Sequence, residues 1–482
     1  MMNEEGNHLL ETSICLRRRK FASIGVLFLI NLLNYMDRFT IAGVLTQIQK
    51  YFDIDDSSAG LLQTVFVVFY MIIAPVCGYY GDRYNRKLIL QIGLIVWMTA
   101  VILSTLCGPA HFYLFMLCRG LVGIGEASYV TIAPTIIADM YTGNRRSCAL
   151  MIFYFAIPIG SGLGYATGAA FSLWTNTWMW GVRLTSILGI ICFMLLVFVV
   201  EEPVRGEAEH SNPVPSSFLE DIKYLLTVRT YIATTLGLTA VVFVVGCLGW
   251  WTPTLMQYAW AVHHGTSHIS SEVKAEIGLV FGIVTCLAGF FGVFFGSVLS
   301  QIWRSGFGNI PKNVHADLHA CALGSLSAVP FLYFGLILSS KNTTLCLIFT
   351  FLAVTGCCVN WAVNMDILMS VISLRRRSIA TAIQTLISHL FGDASSPYMI
   401  GLISDAIRGH ERSTLAHFVA LQRSLFVPNF VLCFGSLMFL VSTFYIDQDR
   451  QNAHELTHSE QLTIENVSET SPLIDSVEHS ST

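Results

Sequence analysis

Ionisable side chains stand inside apolar stretches of this 482-residue sequence. Asn34, Asp37 and Arg38 are spaced three and four residues apart, and Arg119 and Glu126 are seven apart. On a helix each set shares one face. A charge in hydrocarbon is costly and usually faces a cavity or a partner. These residues are therefore predicted to line a functional site inside a membrane.

Three further titratable residues stand in later apolar stretches. Asp366 lies in one of them, and His389 and Asp393 lie four apart in the next. An imidazole has an ordinary pKa of about 6.5, so His389 is a candidate proton carrier. The alternative interpretation is a structural ion-pair network that only holds helices together.

Twelve apolar segments position these residues. They fall at about 21–49, 57–80, 88–107, 111–141, 147–172, 180–200, 230–260, 276–302, 315–338, 343–372, 377–405 and 416–446. Each is long enough to cross roughly 30 Å of hydrocarbon as a helix.

A polar, proline-bearing stretch separates the first six segments from the last six. The sequence therefore predicts an N-terminal tail (1–20), a six-helix bundle (21–200), a linker (201–229), a second six-helix bundle (230–446) and a disordered tail (447–482). Two repeated bundles around a midplane site are typical of secondary transporters.

Composition and charge support a polytopic membrane protein. Hydrophobic residues make up 54% of the chain, charged residues 12%, and the mean hydropathy is +0.62. Of the 27 Lys and Arg residues, 18 fall on alternate loops that share one side with both termini, and seven fall opposite. Basic loops stay in the cytosol during insertion, which predicts cytosolic termini. A net charge of −4 gives no basic excess for nucleic acid.

The loop after the second segment carries a motif that includes Gly78, Asp82, Arg83, Arg86 and Lys87. It resembles the cytosolic signature of the major facilitator superfamily, G-x-x-x-D-R-x-x-R-R/K. The resemblance implies an all-α fold of 12 transmembrane helices in two bundles, with this loop as a cytosolic gate. The alternative is a basic loop that only sets topology.

Longer strings around the ionisable residues resemble one family more specifically. They are Asn34-Tyr-Met-Asp37-Arg38-Phe-Thr40, Arg119-Gly-Leu-Val-Gly-Ile-Gly-Glu126-Ala-Ser128-Tyr129, Phe153-Tyr154-Phe155-Ala-Ile-Pro158-Ile-Gly160 and Ser388-His389-Leu-Phe-Gly392-Asp393-Ala-Ser-Ser396-Pro397-Tyr398. These strings are similar to those of the spinster family of the major facilitator superfamily, over residues 21–446.

The resemblance implies a lysolipid exporter. In that family one branch moves lysophospholipids from the lysosome to the cytosol with protons, and another releases sphingosine-1-phosphate at the cell surface. The amino-acid sequence of this chain is more similar to that of the lysosomal branch. The residues that match the family's functional positions are Asp37, Arg38, Arg119, Glu126 and His389.

The chemistry of these residues is compatible with that function. A zwitterionic lysolipid carries a phosphate that Arg38 or Arg119 can bind, while Asp37, Glu126 or His389 exchanges a proton. We also place Asn34, Asp366 and Asp393 on this pathway and expect the protein to act as a monomer without a cofactor. The alternatives are a sphingosine-1-phosphate exporter of the plasma membrane and a lipid sensor that binds without transport.

Aromatic residues are candidates for the lining of a lipid-tail cavity, with ordinary packing or an interfacial belt as the alternative. They are Tyr129, Tyr154, Trp250, Trp251 and Tyr398.

Both tails fit the acidic dileucine pattern [DE]-x-x-x-L-[LI], which clathrin adaptors read. The residues concerned are Glu5, Leu9 and Leu10 near the start and Glu469, Leu473 and Ile474 near the end. The two matches predict delivery to the lysosomal or late endosomal membrane.

One match to an enzyme motif is rejected. The run from His454 to His458 fits the zinc-protease pattern H-E-x-x-H. That chemistry needs a buried helix and a third ligand, whereas this run lies in a polar tail that is predicted to be disordered. We therefore expect neither a metal site nor an enzyme.

Overall fold

The structure is a computed structural model that describes residues 2–81, 83–141, 143–203, 218–266, 269–306, 311–373 and 376–457. Side chains are described throughout these ranges except at 2–18, 138, 143–148, 218 and 378. Several residues singled out in the sequence lie outside the described part, either entirely or by their side chains: Glu5, Leu9, Leu10, Asp82, Glu469, Leu473 and Ile474.

Helices form the regular structure of the described residues. The first half contains α1 (Met2–Gly43), α2 (Leu45–Phe52), α3 (Asp56–Gly81), α4 (Arg86–Ser104), α5 (Phe112–Met140), α6 (Gly143–Thr175) and α7 (Trp178–Val199). A short helix, α8 (Phe218–Leu225), follows in the linker. Long apolar runs form helices in a bilayer because every backbone N–H and C=O must be paired within the segment.

The second half begins with α9 (Arg229–His263), α10 (Ser271–Ser305), α11 (Ala316–Leu338), α12 (Thr343–Cys358) and α13 (Asn360–Val371). It continues with α14 (Arg377–Ser388), a π-helical turn (His389–Asp393), α15 (Ser395–Arg408), α16 (Thr414–Ser424) and α17 (Val427–Ser442). Asn342 begins α12 and Ser413 begins α16, each accepting a backbone N–H three residues further on.

Eleven helical stretches of the described chain are long and apolar enough to cross a membrane. The twelfth predicted segment is present as α14, the π-helical turn and α15, so the prediction of an all-α, 12-helix fold is confirmed. The first apolar span runs over Arg19–Gly43, close to its predicted start, in a helix that extends back to Met2. One local prediction was wrong: residues 447–457 are helical rather than disordered, with His454 and Glu455 exposed.

The helices form two bundles. In the first, α1 packs on α6 and α7, and α5 packs on α3 and α4. In the second, α11 packs on α12 and α17, and α9 packs on α17. The bundles meet mainly where α6 packs on α10, α3 packs on α15 and on the π-helical turn, and α1 packs on α9. A Cβ on Gly162 would lie 2.7 Å from the Gly282 carbonyl oxygen, so α6 and α10 cross in backbone contact.

Ion pairs and hydrogen bonds at the helix ends define the two faces of the molecule. On the terminal face, from which α1 enters at Arg19, the linker residue Glu201 pairs with Arg19. The opposite face carries the loops around residues 53–55, 105–111 and 409–413. There the Tyr51 hydroxyl donates to the Cys107 carbonyl at 3.3 Å.

Hydrogen bonds between the bundles lie in the half of the molecule nearer the opposite face. Thr46 donates to Gln257 at 2.6 Å, and Tyr165 donates to the Gly249 carbonyl. Thr64 donates to the Ala394 carbonyl at 2.5 Å. At the terminal face, the side-chain hydrogen bonds of Arg86, Lys87 and Arg304 stay within one bundle. The bundles are thus closed on each other at the opposite face.

Candidate functional site

A buried ion pair lies inside the first bundle. Arg119 Nη1 on α5 lies 3.1 Å from Asp37 Oδ2 on α1, and these side chains are 1% and 0% exposed. The other oxygen of Asp37, Oδ1, accepts the Thr185 hydroxyl of α7 at 2.7 Å. Asp37 therefore joins three helices of one bundle.

Arg38, the next residue, points out of the bundle. Its Nη2 lies 2.5 Å from Asp393 Oδ2 of the second bundle. With the Gln63 amide oriented so that its oxygen faces the guanidinium, that oxygen accepts from Nη2 at 2.8 Å and from Nε at 2.9 Å. Consecutive helical residues are about 100° apart. Asp37 and Arg38 were predicted to share one face of the helix. In the structure Asp37 instead points into the bundle and Arg38 lies between the bundles.

The π-helical turn places the Asp393 carboxylate beside Arg38 and the His389 imidazole beside that carboxylate. His389 Nδ1 lies 2.9 Å from Asp393 Oδ1, so this carboxylate contacts both an imidazole and a guanidinium. Such turns insert a residue into a helix and are frequent at functional sites. Gly392 permits the turn to approach α9, because a Cβ there would lie 2.7 Å from Val242 Cγ1. The sequence predicted the spacing of His389 and Asp393 but not the π-helical turn.

Phe66 lies between the two guanidinium groups. Its ring centroid is 5.3 Å from the Arg38 Cζ and 5.5 Å from the Arg119 Cζ. The side chain is 1% exposed, and the backbones of α3 and α5 touch beside it at Gly123. A cation over an aromatic face is attracted by the ring quadrupole. The sequence analysis missed this residue, because a Phe in an apolar segment gives no signal.

Gln63 was also missed, although a signal was available. An amide within an apolar segment needs hydrogen-bond partners, and this one is 5% exposed. The same argument identifies Thr185, a buried hydroxyl on α7 that binds Asp37.

Glu126 and Asn34 complete the cluster in the first bundle. Glu126 is 5% exposed, and its carboxyl group interacts electrostatically with Asp37, Arg38 and Arg119. Among the described residues, Glu126 Oε1, Asn34 Nδ2 and two nitrogens of Arg119 have no hydrogen-bond partner. Buried polar atoms are costly without partners, so this region is suited to a polar ligand or to protons.

Asp366 is not part of the cluster, which corrects the prediction. Its side chain is 66% exposed and lies 3.9 Å from Arg304 Nη2 at the terminal face. Arg304 also pairs with the buried Asp317 at 2.8 Å. Asp366 is five residues before the end of α13, or about 7.5 Å along the axis. The location of Asp366 in an apolar segment did not indicate how close to the terminal face it lies.

The five aromatic candidates separate into packing and surface residues. Tyr129 is fully buried and donates to the Leu27 carbonyl, and Trp251 donates to the Pro397 carbonyl at 2.9 Å. Trp250 is 2% exposed and Tyr154 is 49% exposed. Tyr398 is half-buried on α15. Tyr129, Trp250 and Trp251 are therefore buried core residues.

The described residues of the signature loop lie at the terminal face of the first bundle. Arg86 pairs with Asp139 at the end of α5, and Lys87 donates to the Val197 carbonyl of α7 at 2.8 Å. The exposed Arg83 stacks on Tyr79, with Cζ 3.7 Å from the ring centroid. A Cβ on Gly78 would meet only an ordinary contact of 3.5 Å, so tight packing does not require glycine there.

Similar proteins are found along nearly the whole chain. Residues 27–392 match the Major Facilitator Superfamily. Protein spinster homolog 1 of Xenopus laevis is 43% identical over 451 residues, which cover 92% of this chain and 84% of that protein. The human spinster homolog 1 is 44% identical, with 89% and 82% covered. The sphingosine-1-phosphate transporter SPNS2 of Xenopus tropicalis is 40% identical, with 94% and 87% covered.

Solved structures share the fold. A bacterial homologue of the human lysosomal transporter Spinster, in an inward-facing and unoccupied conformation, matches with a TM-score of 0.76 and 21% identity, over 90% of this chain and 98% of that one. A D-xylose–proton symporter matches with a TM-score of 0.67 and 16% identity, over 88% and 97%. Both support the two-bundle architecture.

Sequence identities of 40–44% over about nine-tenths of the chain decide its family. Together with the superfamily match and the fold, they show a multi-pass membrane transporter and not an enzyme. This chain belongs to the spinster family of the major facilitator superfamily.

Proposed function

We propose that this chain is a proton-coupled exporter of lysophosphatidylcholine or lysophosphatidylethanolamine, from the lysosome lumen to the cytosol, by alternating access. The contact between Arg38 and Asp393 carries the proposal. We call Asp37, Arg38, Arg119, Glu126, His389 and Asp393 the central cluster. Within it, this ion pair joins the two bundles, so a ligand that competes for Arg38 also changes how the bundles hold together. The relatives of this chain include spinster homolog 1, and the bacterial protein of similar fold is a homologue of the human lysosomal transporter Spinster.

The charge of the central cluster supports proton coupling. Asp37, Glu126 and Asp393 carry carboxyl groups, Arg38 and Arg119 carry guanidinium groups, and the imidazole is that of His389. With the carboxylates ionised and the imidazole neutral, the cluster has one net negative charge. One bound proton removes it. A neutral cluster is the cheaper form inside a membrane.

The same charge balance within the cluster favours a zwitterionic substrate. A lysophospholipid with a choline or ethanolamine head group has no net charge, so it leaves a singly protonated cluster neutral. Its phosphate can take the place of Asp393 on the Arg38 guanidinium, and the released carboxylate can then accept a proton or remain with His389. Guanidinium stays charged throughout, so the carboxyl groups and His389 are the proton carriers.

The charge on the loops supports the proposed orientation of the chain in the membrane. Basic residues gather on the terminal face, which we therefore place in the cytosol. The bundles are closed on each other at the opposite face, which then faces the lumen. In this arrangement the structure corresponds to the state that releases substrate. The acidic dileucine patterns support lysosomal delivery through clathrin adaptors.

A second candidate substrate is sphingosine-1-phosphate, exported at the plasma membrane. The 40% identity to SPNS2 supports it, although spinster homolog 1 is slightly more similar, at 43–44%. A phosphate monoester carries a charge of about −1.5 to −2 at neutral pH, so with one ammonium group this lipid is a net anion. It would leave the cluster negatively charged unless a further proton entered.

Lipid flux in proteoliposomes tests the proposed function. Purified protein is reconstituted with a radiolabelled lysophosphatidylcholine under an imposed pH gradient, and efflux toward the neutral side is measured. We expect flux that depends on the gradient and exceeds that of sphingosine-1-phosphate. Binding without flux would instead indicate a lipid sensor, and faster flux of sphingosine-1-phosphate would support the second candidate.

Replacing His389 with glutamine is expected to flatten the pH dependence of this flux while transport continues. Glutamine can still hydrogen-bond Asp393 but cannot carry a proton between about pH 5 and pH 7. The initial rate is measured across that range for both proteins. An unchanged pH profile would show that His389 is not the proton carrier. His454→Gln, on the exposed helix at 446–457, is the matched control and should behave as wild type.

A further inference from the structure

A second cluster of charged residues joins the bundles at the opposite face. We call it the opposite-face latch, and it consists of Asp55, Asp56, Asp405, Arg408 and His417. Asp55 and Asp56 stand at the start of α3 in the first bundle. Asp405 and Arg408 lie at the end of α15, and His417 lies on α16, in the second bundle. None of these residues belongs to the central site.

Asp405 caps α3 from across the interface. Its Oδ1 accepts the Asp56 backbone N–H at 3.2 Å, and its Oδ2 accepts the Ser57 N–H at 2.7 Å. The first N–H groups of a helix have no partner within the helix, and a carboxylate there also meets the positive end of the helix dipole. This cap depends on the two bundles being in contact and on Asp405 being ionised.

Arg408 ties both sides of the latch together. Its Nη2 lies 2.9 Å from Asp55 Oδ1 and 2.6 Å from Asp405 Oδ1, and its side chain is 5% exposed. On its other side, Nη1 of Arg408 is 3.4 Å from His417 Nε2, so a neutral imidazole can accept a hydrogen bond from this N–H group. The ring of His417 stacks on Tyr258 at 5.4 Å, and its buried Nδ1 has no hydrogen-bond partner in the described chain.

Backbone contact makes the latch tight. Asp56 is fully buried and accepts from Gln49 at 2.7 Å and from Ser404 at 2.8 Å. A Cβ on Gly60 would lie 2.3 Å from the Pro397 carbonyl oxygen, and one on Gly401 would lie 2.4 Å from the Asp56 carbonyl oxygen. Small movements here therefore break several contacts at once.

We propose that the opposite-face latch is a second proton-binding site, and that proton uptake there releases the bundles from each other at this face. Protonation of His417 places a second cation beside Arg408 and removes the acceptor at Nε2. This change weakens the closed latch, so acid opens this face and neutral pH closes it.

Other charged groups around the latch are exposed or already engaged. Asp53 lies 3.8 Å from Arg412, and these side chains are 89% and 79% exposed, so water screens their interaction. Glu411 and Arg423 line a surface cavity beside Arg408. On α2, Lys50 interacts electrostatically with Lys274 of α10. We therefore assign proton uptake at the latch to His417.

If the opposite face is lumenal, as the proposed function requires, the pH of the lumen controls substrate loading through the latch. An acidic lumen opens the entrance that faces it, before any proton reaches the central cluster. The chemistry of the latch itself does not depend on which lipid is carried.

Amide hydrogen exchange of the full chain in lipid nanodiscs tests the latch. The amides of Asp56 and Ser57, corrected for intrinsic exchange rates, are compared at about pH 5 and about pH 7. We expect their protection in the wild type to fall by about tenfold or more at the lower pH, because a charge-assisted cap is lost. Asp405→Asn should show the low protection already at neutral pH.

Two further variants complete the test. His417→Gln should retain protection to lower pH than wild type, and it decides the result if Asp405→Asn does not fold. Asp366→Asn, at the terminal face, is the matched control and should leave these amides unchanged. Wild-type protection in Asp405→Asn, or a wild-type pH response in His417→Gln, would overturn the inference. A normal latch response in a protein without lysolipid flux would instead contradict only the proposed function.

Discussion

Arg119→Ala is expected to abolish transport and to destabilise the folded protein by about 3–5 kcal/mol. The substitution leaves the carboxylate of Asp37 buried with no opposite charge, although Thr185 still donates to it. It also removes one of the two guanidinium groups that face Phe66. Thermal unfolding in detergent and lysolipid flux in proteoliposomes measure the two effects.

A double variant separates stability from transport. Asp37→Asn combined with Arg119→Gln removes both charges, so the folded protein should regain most of the lost stability while transport remains absent. Arg19→Ala is the control, because its pair with Glu201 is exposed and such pairs contribute about 0–1 kcal/mol. An unchanged melting temperature for Arg119→Ala would show that the buried pair does not stabilise the bundle.

Arg38→Lys is expected to reduce transport by about 100-fold while leaving the melting temperature close to that of the wild type. Arg38 contacts Gln63 with two nitrogens and Asp393 with one, and a lysine ammonium cannot reproduce this fork. Charge-assisted hydrogen bonds are worth about 1.5–3 kcal/mol each, which corresponds to the expected loss. Because Arg38 lies between bundles, the core of neither bundle depends on it.

Kinetic analysis identifies the step that Arg38 serves. If the lipid phosphate replaces Asp393 on this guanidinium, Arg38→Lys should raise the KM for lysolipid as well as lower the rate. Asp393→Asn should lower the rate and shift its pH dependence, since it removes a proton acceptor while keeping the shape. Wild-type transport by Arg38→Lys would exclude the inter-bundle contact from the transport cycle.

The division of labour between the two arginines has a simple geometric origin. Asp37 and Arg38 are neighbours on α1, so one side chain faces the interior of the first bundle and the other faces the second bundle. The buried pair stabilises one bundle, whereas the other pair joins two bodies that can separate. The Phe66 ring lies between the two guanidinium groups.

The fold was largely predictable from local patterns. Apolar runs of about 20 residues form helices in a bilayer whatever their neighbours are, because the lipid offers no hydrogen bonds. Most predicted helix ends lie within a few residues of those in the structure, as at α3 and α11. The error falls at residues 447–457, where polar sequence forms helix and hydropathy gives no signal.

The site was predictable as a set of residues but not as a geometry. Hydropathy identified Asp37, Arg38, Arg119 and Glu126 as charged residues that are costly to place in a membrane. The structure brings them together with Asp393. Hydropathy did not indicate depth, so Asp366 was placed with them and is in fact at the terminal face. Nor did it assign partners, because any acid in one helix can meet any arginine in another.

The amino-acid sequence by itself determined the number of spanning segments, their two groups of six and the presence of costly charges within them, since each depends on the transfer of local side chains into lipid. Only the tertiary structure decided that Asp37 binds Arg119 while Arg38 binds Asp393, and that Asp405 caps α3 from the other bundle. These contacts join residues up to 355 positions apart. Their partners are chosen by helix rotation and crossing, which hydrophobic periodicity does not specify.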